Sequence, residues 1–416
     1  MLSVTKRRIV QITAASAAVL AVLTLGGAAY AATTLSVYTL TAPEYTTGID
    51  LTSQYLYTAN GHTVSRVNRL NLADETDYTV PSNKEAFKVA SVGTRIFAAT
   101  SGGVAVFDTT VTGGNPFIIP ATADSYGAVD IATWSGHIYA AHPGRWDIVS
   151  SQLIWDCVIT VTPITCTSIP MSVNNPQPST YQDGPRILKV SGDTLIAGVA
   201  SGALVFTNLV TGSQVTALFP GAWPIVSDIA VANGKAYALG LSGNYPSFDN
   251  FVYTYDIATG LTAQAPAALP GNNAYSIAYG GGYLYISKYQ SNVISQLDAD
   301  TKANISTFDV ADRVAPSPLT FDNGTLYTGS HGDMIQFGGA SVSTLPHLVT
   351  ITGLPQTTTP TPTPTVATDP TAGSITASSQ SESLLANTGI SSIPLGLGII
   401  ALALGLLLVG TRRKNS

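Results

Sequence analysis

The 416-residue sequence predicts an all-β fold, a seven-bladed β-propeller, and three observations carry that expectation. A short strand motif ending in an aromatic or aliphatic anchor recurs seven times: Tyr55-Leu56-Tyr57, Arg95-Ile96-Phe97, His137-Ile138-Tyr139, Thr194-Leu195-Ile196, Lys235-Ala236-Tyr237, Tyr283-Leu284-Tyr285 and Thr325-Leu326-Tyr327. Successive anchors are 40, 42, 57, 41, 48 and 42 residues apart, and a four-stranded blade needs about 40–50. Most copies follow turns such as Ala232-Asn233-Gly234, Gly280-Gly281-Gly282 and Asp322-Asn323-Gly324, which tolerate positive φ and close hairpins.

Each unit reads as an apolar strand, a tight turn, the anchor strand and a third strand. Seven such units fill residues 32–353, and radial repetition leaves only short, protected sheet edges. Leu35–Leu40 and His347–Ile351 are expected to close the ring within one blade. The turns after the third strands carry a weaker repeat, Asp256-Ile257-Ala258-Thr259-Gly260, with partial copies at Thr110-Val111-Thr112-Gly113 and Asn208-Leu209-Val210-Thr211-Gly212. These resemble the DxxTG turns of quinoprotein-type and YVTN-type propellers. The tryptophan that follows in quinoproteins is missing, so the resemblance implies the fold and no cofactor.

Both ends of the chain carry addresses. Lys6, Arg7 and Arg8 precede an apolar stretch from Ile9 to Leu25, and Ala29-Tyr30-Ala31 offers a small-x-small cleavage site, so residues 1–31 read as a secretory signal peptide. At the other end, Leu385-Ala386-Asn387-Thr388-Gly389 precedes an apolar run from Ile390 to Gly410 and the basic end Thr411-Arg412-Arg413-Lys414. An apolar run of that length can span a bilayer as a helix, and the basic end resists translocation. The three parts in this order resemble the sorting signal of wall-anchored surface proteins of Gram-positive bacteria, in the LAxTG variant read by class E sortases of actinobacteria. The resemblance implies cleavage between Thr388 and Gly389, transfer of the Thr388 carbonyl to a peptidoglycan amine, and membrane contact only through the sorting segment, 385–416. Between propeller and sorting signal, residues 354–384 are rich in Thr, Pro and Ser. Such a segment cannot bury a core and extends on the order of 95 Å as a stalk.

Without the two end segments the chain keeps 12 basic and all 24 acidic residues. An acidic protein gains nothing from phosphate counterion release, which disfavours nucleic acid as a partner. Cys157 and Cys166 flank two short alternating stretches around Thr162-Pro163 and are expected to form a disulfide across a hairpin in an exported protein.

The sequence shows no recognisable catalytic constellation. Only four glutamates are present, none between residues 86 and 381, and the five histidines form no HExxH or other metal-ligand spacing. No GxSxG elbow precedes a helix. The favoured reading is a binding or adhesion module for an extracellular protein or glycan. The alternative is a secreted propeller enzyme, lactonase- or lyase-like, assembled from residues on several blades.

Two groups of residues are candidates for binding. Aligning the first strand of each blade by its hairpin puts Asp50, Lys88, Asp130, Lys189, Asp228, Ser276 and Thr320 at one equivalent position, a polar ring around the central channel. Buried charges need partners, so the ring either holds an ion or small polar ligand or neutralises itself. The second group lies on the face where loops join one blade to the next and second strands to third. The long connections Ala141–Asp147, Met171–Arg186, Gly240–Asn250 and Lys288–Asn292 share that face and carry Trp146, Tyr181, Tyr245, Phe248 and Tyr289. Long loops on a rigid scaffold are where binding is usually built.

Overall fold

The computed structural model describes residues 33–356 apart from 42–44, 82–83, 112–114, 121–126, 144–152, 172–183, 200–201, 221–224, 245–246, 270–273, 289–291, 311–315 and 331–346. The signal peptide, all but the first three residues of the stalk, and the sorting motif Leu385–Gly389 therefore lie outside the described residues.

Strand β1 (Thr34–Thr39) opens the described chain and the blades follow in order. Blade 1 is β2 (Gly48–Leu51), β3 (Tyr55–Asn60), β4 (Thr63–Asn68) and β5 (Asn71–Thr79); blade 2 is β6 (Ala86–Val92), β7 (Arg95–Thr100), β8 (Gly103–Asp108) and β9 (Phe117–Pro120). Blade 3 is β10 (Asp130–Trp134), β11 (His137–His142), β12 (Leu153–Val158) and β13 (Thr165–Pro170); blade 4 is β14 (Pro185–Ser191), β15 (Thr194–Val199), β16 (Ala203–Asn208) and β17 (Gln214–Leu218). Blade 5 is β18 (Ile225–Ala232), β19 (Lys235–Asn244), β20 (Ser247–Asp256) and β21 (Thr262–Leu269); blade 6 is β22 (Ala274–Gly280), β23 (Tyr283–Lys288), β24 (Val293–Asp298) and β25 (Asn304–Asp309). Blade 7 takes β26 (Pro316–Asp322), β27 (Thr325–Ser330) and β28 (His347–Thr352), and β1 returns to complete it. Every sheet is an up-and-down antiparallel ribbon of four strands, as the repeat predicts.

The ring closes where the ends meet. β1 pairs with β28 over six residue pairs, from Thr34 opposite Thr352 to Thr39 opposite His347. Across the same junction Arg69 of blade 1 donates to the Thr52 carbonyl at 2.6 Å and to the Tyr327 hydroxyl of blade 7, and pairs with Asp322. Its guanidinium also lies 5.2 Å from the centre of the Tyr327 ring.

The core is divided among the seams between blades. Seven apolar clusters each join two neighbouring blades, for example Phe206 and Phe219 of blade 4 with Tyr253 and Tyr255 of blade 5. This explains why the anchor strands read as apolar runs: β3, β7, β11 and β15 are buried on both faces after their first residue, because a blade is covered on both sides. The outer strands β1 and β13 alternate between exposed and half-buried residues. The anchors themselves are buried, including Phe97 and Tyr285 at 0 % exposure.

Two local features bear on the candidate sites. Cys157 and Cys166 stand opposite each other on β12 and β13 and form a disulfide with a Cα separation of 4.0 Å. The segment Gly240–Asn250, expected as a loop, is instead a hairpin extension: Gly240 pairs with Phe251, Leu241 with Asn250, Ser242 with Asp249, Gly243 with Phe248 and Asn244 with Ser247. Ser, Gly, Asn and Pro give this stretch a loop's composition, but antiparallel pairing continued from the blade satisfies its backbone groups.

Candidate functional site

The first strands of the blades line a central channel, and their side-chain period of two sets which residues face it. The register divides the expected ring into two tiers. Asp50, Lys189 and Thr320 lie opposite the anchors Tyr57, Ile196 and Tyr327. Lys88, Asp130, Asp228 and Ser276 lie opposite Ala99, Ala141, Leu239 and Ser287, two residues beyond their anchors. A displacement of two residues preserves the facing of a strand side chain and changes only its height. The seven residues therefore do not occupy one equivalent position, and alanines hold the anchor tier in blades 2, 3, 5 and 6: Ala90, Ala132, Ala230 and Ala278.

The two tiers border two cavities. A polar constriction of about 250 Å³ is lined by Asp50, Lys88, Asp130, Lys189, Asp228 and Thr320. A wider cavity of about 690 Å³ lies at the beginnings of the first strands, with Lys88, Asp228 and Ser276 on its polar side and Phe87, Ile187, Ile225, Val226, Leu241 and Tyr275 on its apolar side. Lys88 and Asp228 border both. The wider cavity opens on the face of the long connections, since Pro143 and Leu241 also line it.

The acidic members of the tiers are occupied by hydrogen bonds between blades. Asp50 Oδ2 accepts from the Ser91 amide at 2.8 Å and the Ser91 hydroxyl at 2.6 Å, joining blades 1 and 2. Asp130 accepts from the amides of Ile131 and Leu188, both at 2.8 Å, joining blades 3 and 4. Asp228 Oδ2 accepts from the Ser276 hydroxyl at 2.5 Å and the Ile277 amide at 3.0 Å, and Oδ1 accepts from the Ile229 amide. Ser276 Oγ in turn accepts from the Leu319 amide at 3.0 Å, so blades 5, 6 and 7 share one chain of bonds. Residue types reveal none of this, because most of the donors are backbone amides.

The lysines are placed differently. Neither the Lys88 nor the Lys189 ammonium takes part in a hydrogen bond or ion pair among the described residues. Both act on Asp130 through space, and Lys189 also acts on Asp50.

Burial raises the pKa of Asp50 and Asp130, and the amides and lysines around them offset only part of that rise. Burial likewise raises Glu75 on β5, which accepts from the amide and hydroxyl of Thr41. Conversely, Asp108, Asp256 and Asp298 are lowered by bonds from Thr110, Thr259 and Thr301 in the exposed turns after the third strands. A raised carboxyl gives stability that is complete below its unfolded pKa and lost as pH rises through the folded one; a lowered carboxyl does the reverse. Between neutral pH and about 4, the ordinary carboxylate range, Asp50, Asp130 and Glu75 therefore add stability as pH falls, while buried His142, pulled down to about 4, takes stability away over the same window. The Asp50→Asn/Asp130→Asn double variant removes the first contribution and keeps the second, so its stability relative to wild type should fall as pH falls from neutral towards about 4. Thermal melts of both proteins across pH check this, and a stability difference that does not change with pH would contradict it.

The aromatic face is only partly in view. Trp146, Tyr181, Tyr245 and Tyr289 lie outside the described residues, and Phe248 is placed on β20 by its backbone alone. Arg186, expected at the end of a connection, is the second residue of β14 and borders the wide cavity. Among the histidines, His137 bonds to Asp156 at 2.6 Å. His142 is buried with its ring centre 4.0 Å from that of Trp155, and burial pulls its pKa down to about 4. Among the described residues, no three His, Cys, Asp or Glu side chains converge as metal ligands.

The fold defines a seven-bladed β-propeller. No protein-family profile matches the chain, and no curated protein matches it. Among solved structures, it is similar to the WD40 domain of Pan2 from Neurospora crassa, with a TM-score of 0.56 and 11% identity over 76% of this chain and 94% of that one. It is also similar to the computationally designed Ika8 protein, with a TM-score of 0.48 and 10% identity over 74% of this chain and 98% of that one. The likeness to the Pan2 domain, at 11% identity, shows the fold alone, and function has to be argued from the site.

Proposed function

We propose that this protein is an exported surface protein of a Gram-positive cell, covalently held by the wall, whose propeller binds an extracellular protein or glycan. The observation that carries the reading is the ordered tail: Leu385-Ala386-Asn387-Thr388-Gly389, an apolar run, and Arg412-Arg413-Lys414. A class E sortase and peptidoglycan are the partners this tail implies. The Cys157–Cys166 disulfide agrees with export, since such bonds persist in oxidising surroundings.

The way the chain leaves the propeller supports a presenting role. Leu354 donates its amide to the Gly324 carbonyl, and Gln356 reaches the Asn323 carbonyl. Both contacts are on the β26–β27 turn, so residues 354–356 leave blade 7 on the face of tight turns, opposite the wide cavity and the long connections. Binding is favoured over acid–base chemistry because Asp50, Asp130 and Asp228 are already committed to inter-blade donors.

Hot spots at interfaces are usually a few aromatic or arginine side chains, each costing about 2 kcal/mol or more when truncated. Trp146→Ala and Tyr245→Ala are each expected to weaken partner binding by about thirtyfold, the equivalent of that energy, without lowering the melting temperature. Asn233→Ser, on the opposite face, should leave binding intact. The measurement is affinity for a partner selected on protein and glycan arrays. Equal losses from both faces, or none from the aromatics, would remove the long-loop face as the binding surface.

A further inference from the structure

The channel's carboxylates are hydrogen-bonded to neighbouring blades, and among the described residues its lysine ammonium groups are not. Asp130 has both oxygens bonded to amides, Asp228 accepts three bonds, and Asp50 accepts two on one oxygen. The ammonium groups of Lys88 and Lys189 have neither hydrogen bonds nor ion pairs among the described residues, yet both bear on Asp130 from different blades. Both also line the polar constriction. An ammonium carries three donors and no acceptor, and an oxyanion would offer the pair acceptors that the amide-bonded carboxylates do not give them among the described residues.

The wide cavity supplies the other half of a ligand site. It holds about 690 Å³, within the range of roughly 300–1,000 Å³ for small-molecule pockets, which are mostly apolar with a few convergent polar groups. Phe87, Ile187, Ile225 and Tyr275 provide apolar lining, and Lys88 borders both this cavity and the constriction.

We infer that the channel is a binding site for a small organic oxyanion, its carboxylate or phosphate head held between Lys88 and Lys189 and its apolar body lying in the wide cavity. The inference rests on the geometry of the channel and is independent of wall anchoring or of a protein or glycan bound by the aromatic loops.

The test uses the full chain solubilised in a nonionic detergent, with calorimetry and thermal melts in the presence of benzoate, phenyl phosphate, acetate, inorganic phosphate or benzyl alcohol. Benzoate or phenyl phosphate is expected to bind and raise the melting temperature, and the stronger of the two identifies the head group. Acetate, inorganic phosphate and benzyl alcohol, each lacking one half of the ligand, should bind at least tenfold more weakly. Lys88→Gln and Lys189→Gln should each weaken binding at least tenfold, the scale of one charge-assisted hydrogen bond. Should either glutamine variant fail to fold, Ile225→Asp provides a second arm, because Ile225 is 37 % exposed and tolerates a polar side chain. Its new charge beside the apolar body should weaken binding by a similar factor. The proposal is overturned if neither aromatic anion binds, if benzyl alcohol or the bare anions bind as well, or if the folded variants bind like the wild type.

Discussion

Thr388→Ala is expected to abolish covalent attachment, moving the protein from the muramidase-released wall fraction to the membrane and medium. The proposed reaction transfers the Thr388 carbonyl from the Gly389 nitrogen to a wall amine, and cleavage depends on recognition of the five-residue motif around it. The variant retains the apolar run and basic end, so export and membrane arrest should continue. Loss should therefore be confined to the final transfer. Wild-type amounts of the variant in the wall fraction would show that Leu385–Gly389 is not a sorting motif and that the tail is a plain membrane anchor.

Asp228→Ala is expected to produce the largest loss of stability from one channel substitution. Asp228 is 7 % exposed and accepts from Ile229, Ser276 and Ile277. Removing the carboxylate leaves those donors buried without their acceptor, at about 1–3 kcal/mol each. Some rearrangement by Ser276 will soften the total, so about 3–6 kcal/mol is expected. That is a large part of the 5–15 kcal/mol typical of a domain. Asp228→Asn retains one acceptor and should lose clearly less. Denaturant unfolding of the three proteins measures both, and equal stability of Asp228→Ala and wild type would mean that the bonds between blades 5 and 6 contribute nothing to closure.

The repeat was legible because its signals are local. Anchor strands such as Arg95-Ile96-Phe97 need apolar residues on both faces, and the turns before Tyr237 and Tyr327 need residues that accept positive φ, as Asn233 and Asn323 do at 51° and 45°. The Asp256 turn was legible for the same reason: its carboxylate accepts from the amide and hydroxyl of Thr259. A further copy at Asp298–Lys302 makes the same bonds through Thr301 but was not found in the sequence. There Lys302 occupies the glycine position at φ 61°, so the strongest composition signal is missing.

The channel was harder to read. Residue spacing of seven or nine to the anchor keeps a side chain facing inward, so parity identified Asp50, Lys88 and Asp130 as channel residues but could not separate their tiers. Their principal partners are amides of the next blade, whose position depends on ring closure and leaves no trace in residue type. The aromatic set Trp146, Tyr181, Tyr245, Phe248 and Tyr289 is legible only as a grouping on one face, inferred from strand order.

The closure of blade 7 has a mechanical consequence for a tethered protein. β28 lies between β27 and β1 and leads directly into the stalk. In the proposed orientation, a partner on the long-loop face and a tether at the wall would pull β28 lengthwise. Its ladder hydrogen bonds lie across that direction, so tension would load both ladders in shear, with many bonds sharing the force, instead of peeling them open one at a time. The strand that completes the ring would thus also serve as its clasp under flow.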